Sequence, residues 1–484
     1  MMSTRDAKEK EGNSTVKGFL SYFYGNFVVL ILGFAQTPLL TRILSTGEFG
    51  KSGMFETAVT VIYIFSIIGL DQAYIRFYYE PDIDRRALLR RCITPSLLIL
   101  AGLSVIYIVF SDIANGFLFG SGGADVTALV IIYAFISVFE RFFFLDVRMQ
   151  QNGKLYSNIN IIEKVLSILT IIAAFLMIGN DFRVGLLSLA IPWGITTTFL
   201  VIRYFVRRGS EAKGHTAPSY RALISYGAPF ITVLLMEWAL SSCDRIALRQ
   251  FADFEELGIY DSAMKIIVLL LTFKNTFIAY WSPVAMERFE SGRDEENKTF
   301  FRRAYEYVVF LGILAAAFLI LLRRVIVLLL GSSYRSAESV IPFLTLMPVF
   351  AIMFEITVQS IKYTKKGRYL NIASLLALIS NIAGNIYLVP LLGGLGAAIT
   401  TGLSYIIYFV TGSYFAEKCI NIGYNYKKTA FYAALMIAYC AEAAFVNDVL
   451  VDTVCGIVII ACAAICDRDK IAEITGYAKN IIKK

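Results

Sequence analysis

The apolar residues of this chain gather into about fourteen runs of membrane length, and no other feature narrows the possible fold as far. We read spans at about 18–41, 52–76, 93–111, 125–146, 157–178, 184–205, 222–243, 258–284, 304–322, 338–361, 369–390, 395–416, 428–446 and 449–466. Runs of roughly 18–25 residues match the hydrocarbon thickness of a bilayer at about 1.5 Å of rise per residue. Lipid offers no partner for backbone N–H and C=O groups, so each run must close its hydrogen bonds internally, as a helix. The expected fold class is therefore an all-α integral membrane protein. A soluble domain of 484 residues, even one 57% hydrophobic, would not carry so many such runs.

Lys and Arg set the expected orientation. The start of the chain is basic (Arg5, Lys8, Lys10, Lys17) and leads into a full-length span without a cleavage pattern, so no signal peptide is expected. With the N-terminus inside, alternate loops at 1–17, 79–92, 141–156, 203–221, 285–303, 362–368, 417–428 and 467–484 hold 33 of the 45 Lys and Arg residues. The opposite loops and span ends hold Arg42, Lys51, Arg183, Arg245, Arg249, Arg323, Arg324 and Arg335. Both termini are thus expected in the cytoplasm, at 1–17 and 467–484. The net charge of +8 is mostly this topology signal; its scatter over eight short segments argues against nucleic-acid binding.

The first twelve spans read as two copies of one six-span pattern. Tyr24-Gly25-Asn26-Phe27 in span 1 matches Tyr226-Gly227-Ala228-Pro229-Phe230 in span 7, and Arg42 matches Arg245. Glu48-Phe49-Gly50 opening span 2 matches Glu256-Leu257-Gly258 opening span 8. Asn152-Gly153-Lys154 before span 5 matches Lys366-Gly367-Arg368 before span 11, and Gly179 and Gly393 close those spans. An even number of spans separates the copies, so they share orientation about a pseudo-twofold axis along the membrane normal. The expected organisation is an N-lobe at 18–208, a cytoplasmic linker at 209–221, a C-lobe at 222–416 and two further spans within 428–466.

Several chemistries have no visible site. The seven cysteines show no CxxC spacing and read as small buried hydrophobes. The sole histidine, His215, lies in the linker beside Gly214 and Pro218 and reads as a loop residue. There is no metal-ligand cluster, no nucleophile–base arrangement and no phosphate-cradling Gly-rich loop followed by Lys. A transporter without cofactor or metal is expected rather than an enzyme, driven by an ion gradient, the membrane potential or trapping of product outside.

Two stretches carry a resemblance. Thr37-Pro38-Leu39-Leu40-Thr41-Arg42-Ile43-Leu44-Ser45, followed by Glu48-Phe49-Gly50, resembles the amino-terminal signature of bacterial polysaccharide flippases. Gly69-Leu70-Asp71-Gln72-Ala73-Tyr74-Ile75-Arg76-Phe77-Tyr78-Tyr79-Glu80 resembles the same family's end of the second helix. The family is the polysaccharide-transport, Wzx-like branch of the multidrug/oligosaccharidyl-lipid/polysaccharide exporters, whose plan of six, six and two helices would cover the whole chain. The resemblance implies movement of an undecaprenyl-diphosphate-linked oligosaccharide from the inner to the outer leaflet of the bacterial cytoplasmic membrane by alternating access. The implied partners are that substrate, membrane lipids, a coupling proton or cation, and glycosyltransferases or a polymerase of the same pathway.

Charges at bilayer depth are costly and usually face protein or a watery cavity. Glu56, Asp71, Glu163, Lys164, Glu237, Asp261, Lys265, Lys274, Glu355 and Glu442 are such positions. The resemblance implies that spans 1, 2, 7 and 8 line the central chamber, which favours Glu56, Glu237, Lys265 and Lys274. Lys274 has no carboxylate one turn away and is the leading candidate for the diphosphate; Lys265 has Asp261 at i−4, so an intrahelical pair is the alternative. Arg42 and Arg245 occupy equivalent outer positions and read either as receivers of the diphosphate or as interface anchors. Glu56 and Glu237 are candidate coupling carboxylates. Asp71 and Arg76 belong to the family signature and read first as a cytoplasmic gate or fold-locking pair. Glu163 and Lys164 are adjacent and point about 100° apart, so they are not expected to pair. Pro38 and Pro229 permit bends in spans 1 and 7, for motion or for packing.

A cation-coupled multidrug exporter of the same fold is the runner-up; it calls for an acid-rich cavity, against which Lys265 and Lys274 argue. A lipid-linked peptidoglycan-precursor flippase would carry several cations in its first lobe, where only Arg42 and Arg76 stand near the span ends. A membrane glycosyltransferase or polymerase would need a large outer loop, and the outer loops here are short.

Overall fold

The computed structural model describes residues 28–206, 216–292, 294–473 and 475. The N-terminal tail, the Tyr24–Phe27 half of the first repeat match, His215 and most of the linker lie outside them. The protein is all-helical, with one isolated bridge between Ile83 and Thr216 among the described residues. Two compact units divide the chain, Met1–Arg245 and Ile246–Lys484.

The first unit contains α1 (Val28–Ile43), α2 (Thr46–Ile67), α3 (Leu70–Phe77), α4 (Arg85–Val109), α5 (Ser111–Phe119), α6 (Ala124–Met149), α7 (Gly153–Ile178), α8 (Arg183–Val206) and most of α9 (Tyr220–Phe251). Asp84 starts α4 by accepting the Arg86 and Ala87 N–H groups, and Asn152 starts α7 by accepting that of Leu155. Such caps satisfy donors that have no partner inside the helix. α6 packs against α2, α4 and α8, and α7 pairs with α8. Phe55, Tyr74, Tyr133 and Phe142 are buried among these helices.

The second unit contains α10 (Phe254–Glu290), α11 (Asp294–Val327), α12 (Ala337–Thr357), α13 (Gln359–Tyr363), α14 (Arg368–Cys419), α15 (Tyr426–Ala441) and α16 (Val449–Cys466). α12 is buried along nearly its whole length, held by α10, α11, α14 and α15. Apart from Glu338 and Glu355 near its ends, its sequence is apolar on every face, as a helix surrounded by others must be.

Eleven helices among the described residues are long and apolar enough to cross a membrane. The expected second span is broken: α2 and α3 meet at 52°, where Ile68 and Gly69 both take positive φ. Expected spans 11 and 12 run together as the 52-residue α14, kinked at Gly393. With the 16 residues of α1 described, the arrangement is consistent with fourteen spans. Span 7 is longer than expected: α9 continues to Phe251, so Arg245 lies within the helix instead of at its end.

Candidate functional site

The second signature stretch folds as α3 and clasps α6. Asp71 is 2% exposed and accepts Arg141 Nε at 3.0 Å and Nη2 at 2.5 Å on a single oxygen. Gln72 donates to that same oxygen at 3.1 Å. Tyr74 donates to Asp146 at 2.6 Å, and Tyr79 to the Met149 carbonyl at 2.5 Å. Arg76 points elsewhere and pairs with Glu80 at 2.9 Å in an exposed i,i+4 contact. Asp71 and Arg76, read from the sequence as one pair, therefore take separate partners, because residues five apart leave a helix in widely different directions. Arg141, assigned to a cytoplasmic loop by the charge count, belongs to α6 and supplies the buried half of the contact.

Just before Asp71, Gly69 touches α9. A Cβ on Gly69 would lie 2.1 Å from the Gly227 carbonyl oxygen, and one on Gly227 would lie 2.7 Å from that of Gly69. Two backbones approach this closely only where neither residue has a side chain. Further along α9, Trp238 donates to the Thr57 carbonyl at 3.2 Å. That bond brings the neighbouring residues Glu56, half-buried, and Glu237, exposed, to the same level of α2 and α9.

Two more carboxylates join Glu56 in the first unit. Tyr133 is surrounded electrostatically by Glu56, Glu140 and Glu163. Glu163 accepts the Thr196 hydroxyl at 2.7 Å, while Lys164 reaches Gln36 at 3.4 Å, so the adjacent pair takes separate partners as expected. Glu140 was not singled out from the sequence, although it falls inside the expected span 125–146, next to the loop counted from Arg141. Only packing of α6 against α2 and α8 shows that it belongs to a cluster.

The candidate cations are dispersed. Arg42 is exposed near the end of α1, and Arg245 is half-buried and engaged by neighbours. Lys265 is half-buried on α10 and engaged, one turn after the buried Asp261. Lys274 is half-buried on the same helix. Nine residues make two and a half turns, so the Lys265 and Lys274 stems leave opposite faces of α10. A single helix face cannot offer both to one headgroup.

A third group of charges sits on α11, α15 and α16. Arg323 and Arg324, assigned by the charge count to an outer loop, are in α11. Arg323 is fully buried and donates to Asp452 at 2.6 Å; Arg324 donates to the same oxygen at 2.9 Å. Arg-Arg ending one apolar run and an Asp opening another is the signal that a reading of single spans overlooks. Glu355 pairs with Lys362 at 3.3 Å.

Comparisons with known proteins agree with this architecture. Residues 15–288, more than half of the chain, match the family described as polysaccharide biosynthesis protein. A relative from Methanocaldococcus jannaschii, the uncharacterized membrane protein MJ1068, is 24% identical, with 93% of this chain and 94% of the relative covered. The inward closed structure of lipid II flippase MurJ superposes with a TM-score of 0.66 over 93% of this chain and 99% of that one, at 16% identity. The inward-facing structure of a multidrug resistance MATE family transporter gives 0.65 over 81% and 95%, also at 16% identity. These two share the fold with this protein. The chain belongs to the polysaccharide biosynthesis protein family and is a multi-pass membrane protein.

Proposed function

We propose that this protein is a flippase that moves an undecaprenyl-diphosphate-linked oligosaccharide from the inner to the outer leaflet of a bacterial cytoplasmic membrane, by alternating access, for surface polysaccharide biosynthesis. Membership of the polysaccharide biosynthesis family carries the reading. It is a transporter, not an enzyme, with both termini in the cytoplasm. Its lobes are 18–208 and 222–416, joined by 209–221, and 428–466 forms an added helix pair. Glycosyltransferases and a polymerase of the same pathway supply and consume the cargo.

In this reading Lys274 holds the diphosphate, because an ammonium in a partly dry chamber binds a phosphate oxygen strongly. Lys265, on the opposite face of α10, contributes less. Arg42 and Arg245 receive the headgroup as the chamber opens outward. Glu56 and Glu237, with Glu140 and Glu163 nearby, carry the coupling proton or cation. The Asp71–Arg141 contact, not an Asp71–Arg76 pair, locks the inner end of the first lobe.

The test is complementation in a host lacking its own flippase. The chain should restore surface glycan and leave sensitivity to cationic drugs unchanged. Lys274→Ala should lower flipping by roughly tenfold or more at normal membrane abundance, the loss of one charge-assisted bond. Lys274→Arg should keep part of the activity, since the charge remains while the donor geometry changes. Drug resistance without glycan export would establish the multidrug reading instead, and rescue of a host lacking its peptidoglycan-precursor flippase would establish that cargo.

A further inference from the structure

The outer end of the C-terminal helix pair holds a knot of buried charge that the proposed transport path does not use. α15 ends in a π-turn, Glu442–Val446, before Asn447 takes a left-handed conformation and Asp448 caps α16. π-turns are rare and recur at functional positions. This one carries Glu442 toward Asp452 on α16 and Arg323 on α11.

The hydrogen-bond inventory of the knot is uneven. One oxygen of Asp452, Oδ2, accepts both guanidinium groups, Arg323 and Arg324. Arg323 also donates to the Ala443 carbonyl and to Asn447 Oδ1, and Arg324 donates to Asn447. Asn447 in turn donates to Glu338 on α12 at 2.9 Å. Asp448 is occupied by the Leu450 and Val451 N–H groups. Against this, Asp452 Oδ1 and both carboxyl oxygens of Glu442 are inaccessible to solvent and have no donor among the described residues. The Tyr439 hydroxyl, on a side chain 2% exposed, is also without a partner and faces Asp452, Arg323 and Glu442. Cys455 lies beside the same two carboxyls.

The Glu442 carboxyl nevertheless lies within hydrogen-bonding reach of the Asp452 carboxyl. Two carboxylates only accept, so they cannot bond to each other; a carboxylic acid and a carboxylate can. Leaving several buried acceptors of one sign face to face is the alternative, and it is costly. Asp452 already accepts from two guanidinium groups, which leaves Glu442 as the member that carries the hydrogen.

We propose that Glu442 and Asp452 form a proton-binding site in the C-terminal helix pair, with Glu442 a carboxylic acid that donates to Asp452 and so ties the π-turn of α15 to α16 and, through Arg323, to α11. The ligand is one proton, the charge around it is set by Arg323, Arg324, Glu338 and Asp448, and Tyr439 and Cys455 are the remaining titratable neighbours. The site does not depend on the cargo of the protein.

The experiment uses the full chain in lipid nanodiscs at neutral pH. Infrared difference spectra should show a carboxylic-acid C=O stretch that shifts in D₂O and disappears in Glu442→Gln. Glutamine keeps a donor where the acid had one, so Glu442→Gln should melt at the parent temperature, whereas Glu442→Ala should melt several degrees lower. An unchanged carboxylic-acid band in Glu442→Gln would overturn the proposal. So would a Glu442→Gln protein that melts as low as Glu442→Ala, because that result demands a charged Glu442. Stabilisation of the parent, but not of Glu442→Gln, by added sodium, potassium or magnesium chloride would also overturn it, in favour of a metal cation.

Discussion

The second helix of each repeat begins alike and ends differently. At its start, Glu48 in the first unit accepts the Phe182 N–H at 2.8 Å, and Glu256 in the second accepts the Gly394 N–H at 2.7 Å. Each carboxylate caps the helix that closes its own repeat, α8 in one unit and the second arm of α14 in the other. Toward the other end the copies part. The first breaks at Ile68–Gly69, bends by 52° and clasps α6 through Asp71 and Arg141. The second continues as the 37-residue α10 and carries Lys265 and Lys274 instead. The repeat offset of 208 residues aligns Gly69 with Phe277, which permits no such break. The two copies thus share the anchor at the start of this helix and differ toward its other end: one copy has a break and a latch, the other a continuous helix with ammonium groups.

The sharpest way to break this comparison is Gly69→Ala. Its Cβ would overlap the Gly227 carbonyl, and its φ of 68° is unfavourable for any L side chain. The change should destabilise by more than about 2 kcal/mol and abolish transport. Phe277→Ala, at the equivalent place in α10, should leave both near normal. Thermal unfolding of the purified protein and a complementation assay read the two outcomes; equal losses would mean that the break is not special to the first copy.

Next in size is the latch. Arg141→Gln leaves the buried Asp71 carboxylate without its cation, a change expected to cost about 3 kcal/mol. A double variant, Arg141→Gln with Asp71→Asn, should recover part of that stability. No recovery in the melting temperature would show that Arg141 acts independently of Asp71.

The shared anchor supplies a smaller effect. Glu48→Gln and Glu256→Gln should each cost about 1 kcal/mol, since one charge-assisted bond to a backbone N–H is weakened in each. Glu48→Gln should be slightly the larger, because Glu48 also pairs with Lys51 at 2.6 Å. Proteolysis or hydrogen exchange at residues 179–185 and 391–397 would locate each loss. A loss at only one of the two sites would end the equivalence.

The smallest expected effect is at Arg76. Its exposed contact with Glu80 should be worth less than about 1 kcal/mol, and Arg76→Ala should melt close to the parent. A large loss would return Arg76 to the latch.

How far the sequence could be read follows from what each signal depends on. Span length depends only on local composition and the thickness of lipid, so all-helical membrane architecture was legible from the residues alone. The repeat reading rests on helix starts and turn glycines: Glu48 and Glu256 stand where helices begin, and Gly179 and Gly393 both take positive φ. The candidate carboxylates Glu56 and Glu163 were visible because a charge inside an apolar run stands out. Arg141, Arg323 and Arg324 were not, because a charge counted at the end of an apolar run looks like the start of a loop, and Glu140 was passed over beside Arg141.

What the tertiary structure alone decided is which charge meets which. Asp71 finds Arg141 seventy positions away while its near neighbour Arg76 turns to Glu80, and Asp452 finds two arginines on α11. Hydrophobic length determines that a helix crosses a bilayer, a property each segment has by itself. Partner choice in a low-dielectric interior belongs to pairs of segments: a buried charge is tolerable only where packing brings an opposite charge or a proton to it. That condition is met by rotation and depth of helices distant in sequence, which no single segment records.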